Sequence, residues 1–150
     1  MNLKLEKRTL ILITIMIFLL LISITLYFFV DNNLVRRVLF FPGRDNYSAE
    51  MRRVPRQNSL ENDIELFLNE LILGPYNIDH LRAIPENTKL QNVLLRNNSL
   101  LYIDFSADLV VSETKQNIVQ SDIIELIRKN LNYNFPKLEK IILSVDGQTL

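Results

Sequence analysis

The pattern of apolar and polar positions divides the chain into one long apolar run and a region of shorter alternating segments. From Leu10 to Val30 the sequence LILITIMIFLLLISITLYFFV carries no charged residue. A helix of this length spans roughly 30 Å, which matches the hydrocarbon core of a bilayer. We therefore predict a cytoplasmic tail at 1–9, a transmembrane anchor at 10–30, a short linker at 31–34 and a folded domain at 35–150.

A cleaved signal peptide is the alternative interpretation of the apolar run. The run is longer than the usual core of a signal peptide, and Tyr27 to Asp31 contain no small-residue cleavage site. Basic residues flank the run on both sides, so charge alone does not decide its orientation. Because a short tail before a first span usually stays in the cytoplasm, we expect a single-pass protein of the inner (cytoplasmic) membrane. Its domain would lie on the extracytoplasmic, periplasmic side.

The segments after the anchor alternate between strand and helix periodicity. Apolar residues at helical spacing predict one helix from a cap at Asn58 to Gly74-Pro75, and another from about Ser112 to Leu131. Their predicted buried stripes are Leu60, Ile64, Phe67, Leu68 and Leu71, and Val119, Ile123, Leu126 and Ile127. β-branched and aromatic runs predict strands at 35–41, 51–54, 89–96, 100–105 and 140–145.

The order β-β-α-β-β-α-β predicts an α+β fold. A small mixed or antiparallel sheet would carry both amphipathic helices on one face, and its other face would be at least partly open. The third and fourth strands read as a hairpin whose loop has either two or three residues. We favour the three-residue loop Asn97-Asn98-Ser99, which pairs Leu95 with Leu101, Val93 with Ile103 and Gln91 with Phe105, because it places the most apolar set on one face.

Composition leaves little room for chemistry. The chain has 17 Lys+Arg against 17 Asp+Glu, so no overall basic charge would attract nucleic acid. It has no cysteine, which excludes disulfides, thiolate metal sites and a lipid-bearing cysteine. Three glycines in all make a phosphate-binding loop implausible.

Ionisable residues do not form an obvious catalytic set. His80 is the only histidine, and we expect it to be a surface loop residue rather than a partner of Asp79 or a metal ligand. Asp63 and Glu70 share a helix face, which we interpret as solvated. We therefore predict no catalytic, cofactor or metal site, and no enzyme.

Two sets of residues are candidates for an interaction surface. If the first two strands pair, Arg36, Arg37, Arg52 and Arg53 (with Arg56) gather at one edge, where they could bind anionic lipid or an acidic partner. The alternative is that these charges protect an edge strand from aggregation. The predicted hairpin register also turns Leu94, Leu100 and Tyr102 away from the helices, either as a contact surface or packed under the segment 42–50 or 76–88.

Several stretches together resemble the GerMN domain, the sporulation and spore germination family. They are 38–42 (VLFFP), 69–75 (NELILGP), 84–90 (IPENTKL), 102–106 (YIDFS) and 143–148 (LSVDGQ). The family residues that match here are Gly74, Pro75, Pro85, Asp104, Asp146 and Gly147, to which we assign structural roles. The resemblance implies one copy of an exported domain, held here by a helix instead of a lipid.

Members of this family resemble ring-building modules in the channel complex that joins mother cell and forespore. The resemblance therefore implies a cell-envelope module that assembles with a protein partner or with copies of itself. The alternative is an envelope module that binds peptidoglycan or anionic lipid.

Overall fold

A computed structural model describes residues 7–29, 33–43, 47–111 and 120–150 of the chain. The chain divides into two compact units, Met1–Asn33 and Leu34–Leu150. The first unit contains helix α1 (Lys7–Phe29). The second contains β1 (Leu34–Pro42), β2 (Tyr47–Pro55), α2 (Leu60–Leu73), β3 (Leu90–Arg96), β4 (Leu100–Phe105), α3 (Asp108–Val111), α4 (Gln120–Asn134), β5 (Lys140–Val145) and β6 (Gln148–Thr149).

Helix α1 is long and apolar enough to cross a membrane, judged by its length and composition. Its hydroxyl-bearing side chains do not interrupt the apolar surface. Thr14 donates a hydrogen bond to the carbonyl of Leu10 at 2.9 Å, and Thr25 donates one to the carbonyl of Ile22 at 2.8 Å. Both hydroxyls thus bond to the helix's own backbone.

The second unit confirms the α+β class and the predicted order of its main elements. The short helix α3 and the two-residue strand β6 were not predicted. The prediction of one sheet was wrong, because β1 and β2 form an antiparallel ribbon separate from the four-stranded sheet β3-β4-β5-β6. In that sheet β4 and β5 are parallel and the other neighbours are antiparallel, so the sheet is mixed.

The hairpin of β3 and β4 has the predicted three-residue loop. Leu95 lies opposite Leu101, and Val93 lies opposite Ile103. Asn97 and Asn98 both have positive φ, at 52° and 56°, which asparagine tolerates better than most residues. The predicted pairing of Gln91 with Phe105 was wrong, because a register shift between Leu90 and Asn92 places Leu90 opposite Phe105.

Helix α2 begins one residue later than predicted. Its N-cap is Ser59, whose hydroxyl accepts a hydrogen bond from the Asn62 backbone N–H at 3.1 Å, so the prediction of Asn58 as cap was wrong. Glu61 does not reach back to the cap. Its carboxylate accepts a hydrogen bond from the backbone N–H of Leu95 at 2.7 Å, which ties the start of α2 to strand β3.

Helix α4 carries the second predicted stripe. Ile123, Leu126 and Ile127 are buried as predicted, while Val119 and the predicted start at Ser112 lie outside the described residues. The helix continues past its predicted end at Leu131 to Asn134, and its buried face includes Asn130. This polar side chain in an apolar stripe contacts β1, as described below.

One core joins the inner face of the four-stranded sheet to both long helices of the unit. The sheet contributes Leu101, Ile103, Phe105, Ile141 and Leu143. The helices and the ribbon contribute Ile64, Phe67, Leu68, Leu71, Ile123, Ile127, Leu131, Leu39 and Phe41. These sheet residues alternate with outward-facing ones, and within the described part of the second unit both long helices pack on the inner face.

Candidate functional site

The outer face of the four-stranded sheet carries an apolar row that crosses three strands. Leu94 lies opposite Tyr102 on the antiparallel side, and Tyr102 lies opposite Ile142 on the parallel side. Leu94 is 41 % exposed, and Tyr102 and Ile142 are half-buried. We call this row, together with Leu100, the open face. The pattern of apolar positions in β3 and β4 predicts its first members, and the alternation of Lys140, Ile142 and Ser144 adds Ile142.

Charged and polar residues border the open face on both sides. In the row above, Arg96 lies opposite Leu100, which lies opposite Lys140. The guanidinium carbon of Arg96 stands 5.9 Å from the centre of the Tyr102 ring, within reach of a cation–π contact. An apolar centre with a cationic border on one side is the pattern of a protein contact surface.

Asp104 and Gly147, which both match family motifs, form one structural unit at the other side of the open face. The Asp104 carboxylate accepts hydrogen bonds from the Ser144 hydroxyl at 2.7 Å and from the Gly147 backbone N–H at 3.0 Å. Asp146 and Gly147 have φ of 46° and 78°, so they form the tight turn between β5 and β6. Asp104 therefore holds this turn against β4.

Asp146 is bound by a side chain rather than by the backbone bond expected of a turn aspartate. The Gln91 side-chain amide donates a hydrogen bond to its carboxylate at 2.6 Å. Gln91 is the residue displaced by the register shift in β3. With this shift, the Gln91 side chain of β3 contacts the turn between β5 and β6.

The four candidate arginines do not form one cluster. Arg36 lies opposite Arg53 and Arg37 lies opposite Arg52 in the ribbon, so the two pairs point to opposite faces. Arg36 and Arg53 are exposed, whereas Arg37 is half-buried and Arg52 is only 4 % exposed. The prediction of a single cationic edge was wrong, because side chains alternate between faces along each strand.

Arg52 fixes the end of helix α2. Its guanidinium donates hydrogen bonds to the carbonyl of Glu70 at 2.9 Å and to the carbonyl of Gly74 at 2.5 Å. It also pairs with the carboxylates of Glu70 and Glu50, both at 3.1 Å. The ring of Tyr76 lies over it at 3.8 Å. A cation at a helix C-terminus stabilises the unpaired carbonyls there, so Arg52 is a structural residue.

Arg37 makes the matching contact near the start of α2. Its guanidinium lies 3.5 Å from the Asp63 carboxylate, donates to the carbonyl of Asn134 at 3.2 Å and lies over the Phe135 ring at 4.4 Å. Burial lowers the pKa of Arg37 against the opposing effect of Asp63. The interpretation of Asp63 and Glu70 as a solvated face was therefore wrong, since each acid pairs with a ribbon arginine.

His80 is also not a free surface residue. Its Nδ1 lies 2.8 Å from a carboxylate oxygen of Glu50, and its side chain is 13 % exposed. Burial by itself would raise the pKa of Glu50, but hydrogen bonds from the Asn77 and Tyr76 backbone, from Arg52 and from His80 lower it. Glu50 therefore holds the segment after Gly74 onto strand β2.

The remaining family-motif residues shape the segment between α2 and β3. Gly74 ends the helix with φ of 83°, and a Cβ there would lie 2.8 Å from the guanidinium carbon of Arg82. Arg82 donates hydrogen bonds to the carbonyls of Ile72 and Leu73. Pro75 follows half-buried, and Pro85 is buried and accepts a hydrogen bond from the Thr88 N–H at 3.1 Å. Glycine is required at position 74 by both its backbone and its neighbour.

Two asparagines of α4 were missed by the sequence analysis. The Asn130 side chain accepts from the Phe40 N–H at 2.8 Å and donates to the Phe40 carbonyl at 3.0 Å. Asn134 does the same with Val38, at 3.0 Å and 2.6 Å. Four helical residues rise about 6 Å and two strand residues about 6.7 Å, so the spacings match. Asparagines at i and i+4 within an apolar stripe are the signal that could have revealed them.

The ionisable side chains named above hold parts of the fold together. Among residues 7–29, 33–43, 47–111 and 120–150 there is no group of three His, Asp or Glu side chains placed to hold a metal ion. The acids of the second unit named above are occupied by arginines, by a turn or by backbone N–H groups. The arrangement can present contacts to another molecule.

Comparisons with known proteins agree on one family and one fold. The family model Germane, described as sporulation and spore germination, matches residues 25–150. The first GerMN domain of the sporulation protein GerM from Bacillus subtilis is 20 % identical, with 77 % of this chain and 86 % of that chain covered and a TM-score of 0.56. The tandem GerMN domains of the same protein are 19 % identical, with 78 % and 41 % covered and a TM-score of 0.55. No curated protein sequence matches the chain.

Proposed function

Since the chain belongs to the Germane family of sporulation and spore germination domains, we propose that it is a membrane-anchored assembly module of the cell envelope. The family predicted from the motifs is confirmed, and the fold is that of the GerMN domains of GerM. In this proposal residues 1–9 stay in the cytoplasm, 10–30 anchor the chain, 31–34 link, and 35–150 form the domain outside the membrane.

The anchor follows from the properties of α1. Its side chains from Lys7 to Tyr27 are exposed, and those after Arg8 are mostly apolar and carry no charge. Apolar surface of this extent is stable in lipid and costly in water. A lipid-spanning helix accounts for it without a second protein.

The open face is the single observation that carries the assembly role. Leu94, Tyr102 and Ile142 form a continuous apolar row on the face of the sheet opposite the core. A partner that covers this row gains hydrophobic free energy at no cost to the core. The anchor confines the domain to two dimensions and raises its effective concentration, so weak contacts suffice.

We propose that the module is not catalytic. Its family-motif aspartates bind Ser144, Gly147 and Gln91, and its histidine binds Glu50. Each of these groups is engaged in holding a turn or a loop, which supports a structural role. A hydrolase activity that disappears in both Asp104→Ala and Asp146→Ala would contradict this part of the proposal.

The assembly role is tested by partner capture from membranes with the full chain. We expect wild type to capture a partner or further copies of itself. Leu94→Arg should capture at least about tenfold less material than wild type, because a charge replaces the apolar contact. Val111→Arg is the matched control, since Val111 is 77 % exposed on α3. Equal capture by Leu94→Arg and Val111→Arg would remove the open face from the proposal.

The orientation is tested with a reporter fused after Leu150. An enzyme that is active only outside the cytoplasm should be active in the fusion. A fusion that is active only in the cytoplasm would overturn the extracytoplasmic placement.

A further inference from the structure

The asparagine contacts of α4 reveal which groups of the ribbon face outwards. The backbone N–H and C=O of Val38 and Phe40 both bind α4, so they point away from β2. In an antiparallel pair, residues that lie opposite each other share this orientation. Met51 lies opposite Val38 and Ala49 lies opposite Phe40, so their backbone groups point away from β1.

Strand β2 therefore presents an outer edge with hydrogen-bonding capacity. By the same alternation Arg53, opposite Arg36, belongs to this edge. Within the described residues, no hydrogen bond joins the backbone of Ala49, Met51 or Arg53 to a part of the chain outside the ribbon. A row of such groups is a template for another strand.

The other long strand edges are covered. Asn130 and Asn134 occupy the free edge of β1. On β3, the Glu61 carboxylate accepts a hydrogen bond from the N–H of Leu95, and the register shift between Leu90 and Asn92 interrupts the strand. Strand β6 pairs with the end of β5, while Arg128 donates to the Ile141 carbonyl of β5 and the Leu150 N–H donates to the Leu143 carbonyl. The described structure thus protects its other edges and leaves β2 accessible.

We propose that β2 pairs antiparallel with β2 of a second copy of this chain, centred on Met51. Met51 then lies opposite Met51 of the second copy, and Ala49 lies opposite Arg53. Glu50 lies opposite Arg52 in both directions. About six backbone hydrogen bonds would join the edges, and the ribbons would form one four-stranded sheet.

The charges of β2 select this register. Moving the second strand by two residues in one direction places Arg52 opposite Arg52, and in the other direction it places Glu50 opposite Glu50. Like charges directly opposite each other are destabilising, whereas opposite charges are favourable. The segment Glu50-Met51-Arg52 is therefore complementary to itself only in the centred pairing.

Exposed apolar side chains border the same edge. Met51 is 66 % exposed, and Tyr76 and Ile78 are 76 % and 95 % exposed. The loop that carries the last two is held to β2, because the N–H groups of Tyr76 and Asn77 both bind the Glu50 carboxylate. A second copy at this edge would cover apolar surface as well as pair backbone groups.

This inference rests on the proposed assembly function and names one of its contacts. A two-fold contact closes a dimer, so rings or larger assemblies would need the open face as a second, different contact.

The test is disulfide crosslinking of the full chain in membranes. Because the sequence has no cysteine, a disulfide between two copies can form only through the introduced residue. Opposed residues in an antiparallel pair are about 5.5 Å apart at Cα, within disulfide range, so Met51→Cys should crosslink efficiently on oxidation. Ala49→Cys is the matched control. Its two copies would lie about 14 Å apart and should crosslink at least about tenfold less.

Two further experiments test the register of the β2–β2 pairing and distinguish this inference from the proposed function. Co-expressed Ala49→Cys and Arg53→Cys chains should crosslink to each other, since those positions are opposed. Met51→Lys, added to both of these chains, should abolish their crosslink, because it places two ammonium groups together.

Equal or absent crosslinking of Met51→Cys and Ala49→Cys, with multimers or captured partners still present, overturns the strand pairing alone. If β2 instead pairs with a strand of another protein, an amine-reactive reagent should trap a complex with the mass of a heterodimer, and this outcome too overturns the pairing of two copies. Absence of multimers and of any captured partner overturns the assembly function as well.

Discussion

The side-chain amide of Asn130 replaces a neighbouring strand for Phe40, with hydrogen bonds of 2.8 Å to its N–H and 3.0 Å to its carbonyl. Asn130 is fully buried, and it also donates to the carbonyl of Leu126 one helical turn earlier. The helix thereby satisfies the backbone of a strand that the sheet does not reach. This explains why the ribbon of β1 and β2 stands apart from the four-stranded sheet.

Removing this amide should destabilise the domain. Asn130→Ala leaves the N–H and C=O of Phe40 without partners, which we expect to lower the free energy of unfolding by about 2–4 kcal/mol. Asn132→Ala, on the exposed side of the same helix, should change it by about 0.5 kcal/mol or less. Denaturant unfolding of the full chain in detergent, followed by near-ultraviolet tyrosine circular dichroism, measures both. Equal losses in the two variants would contradict the role given to Asn130.

Neighbouring arginines should differ sharply in their effects. Arg52→Ala leaves the carboxylates of Glu50 and Glu70 without their shared cation and exposes the carbonyls at the end of α2. We expect a loss of about 3–5 kcal/mol, as for one partner of a buried ion pair. Arg53→Ala removes an exposed side chain and should cost about 0.5 kcal/mol or less. The same unfolding measurement compares the two variants. A loss in Arg53→Ala as large as that in Arg52→Ala would contradict the assignment of Arg52 as the buried cation.

Acid should weaken the attachment of the loop after α2. The pKa of Glu50 is lower in the folded protein than its ordinary value of 4.5, so its contribution to stability is complete above that value. That contribution is lost as the pH falls through the lower folded value. Melting temperatures between pH 7 and pH 3 should therefore fall less steeply in Glu50→Gln than in wild type. Glu65→Gln, at an exposed position, is the control and should follow wild type.

The two glycines with positive φ should respond differently to alanine. Both substitutions strain the backbone, at a cost of about 1 kcal/mol. At Gly74 the new Cβ also meets the Arg82 guanidinium at 2.8 Å, whereas at Gly147 it meets open space. We expect Gly74→Ala to cost about 1 kcal/mol more than Gly147→Ala. Thermal unfolding of both variants tests this, and a larger loss in Gly147→Ala would contradict it.

The candidate surface could be predicted only in part. The hairpin register followed from the apolar pattern of β3 and β4, because a slip of one residue would turn Leu101 and Ile103 outwards. The same alternation, applied to β1 and β2, would have separated Arg36 and Arg53 from Arg37 and Arg52. It would not have revealed that Asp63 and Glu70 neutralise the inward pair, because those contacts join residues distant in sequence.

Local sequence determined the apolar span, the α+β class, the family and the loop of the hairpin. Each of these depends on periodicity, turn chemistry or short motifs, which act over a few neighbouring residues. Only the tertiary structure decided that two asparagines close the edge of β1, that Arg52 is buried at the end of α2, and that the outer edge of β2 stays accessible. Those outcomes depend on which distant backbone groups meet a side-chain partner, and burial makes each such partner necessary.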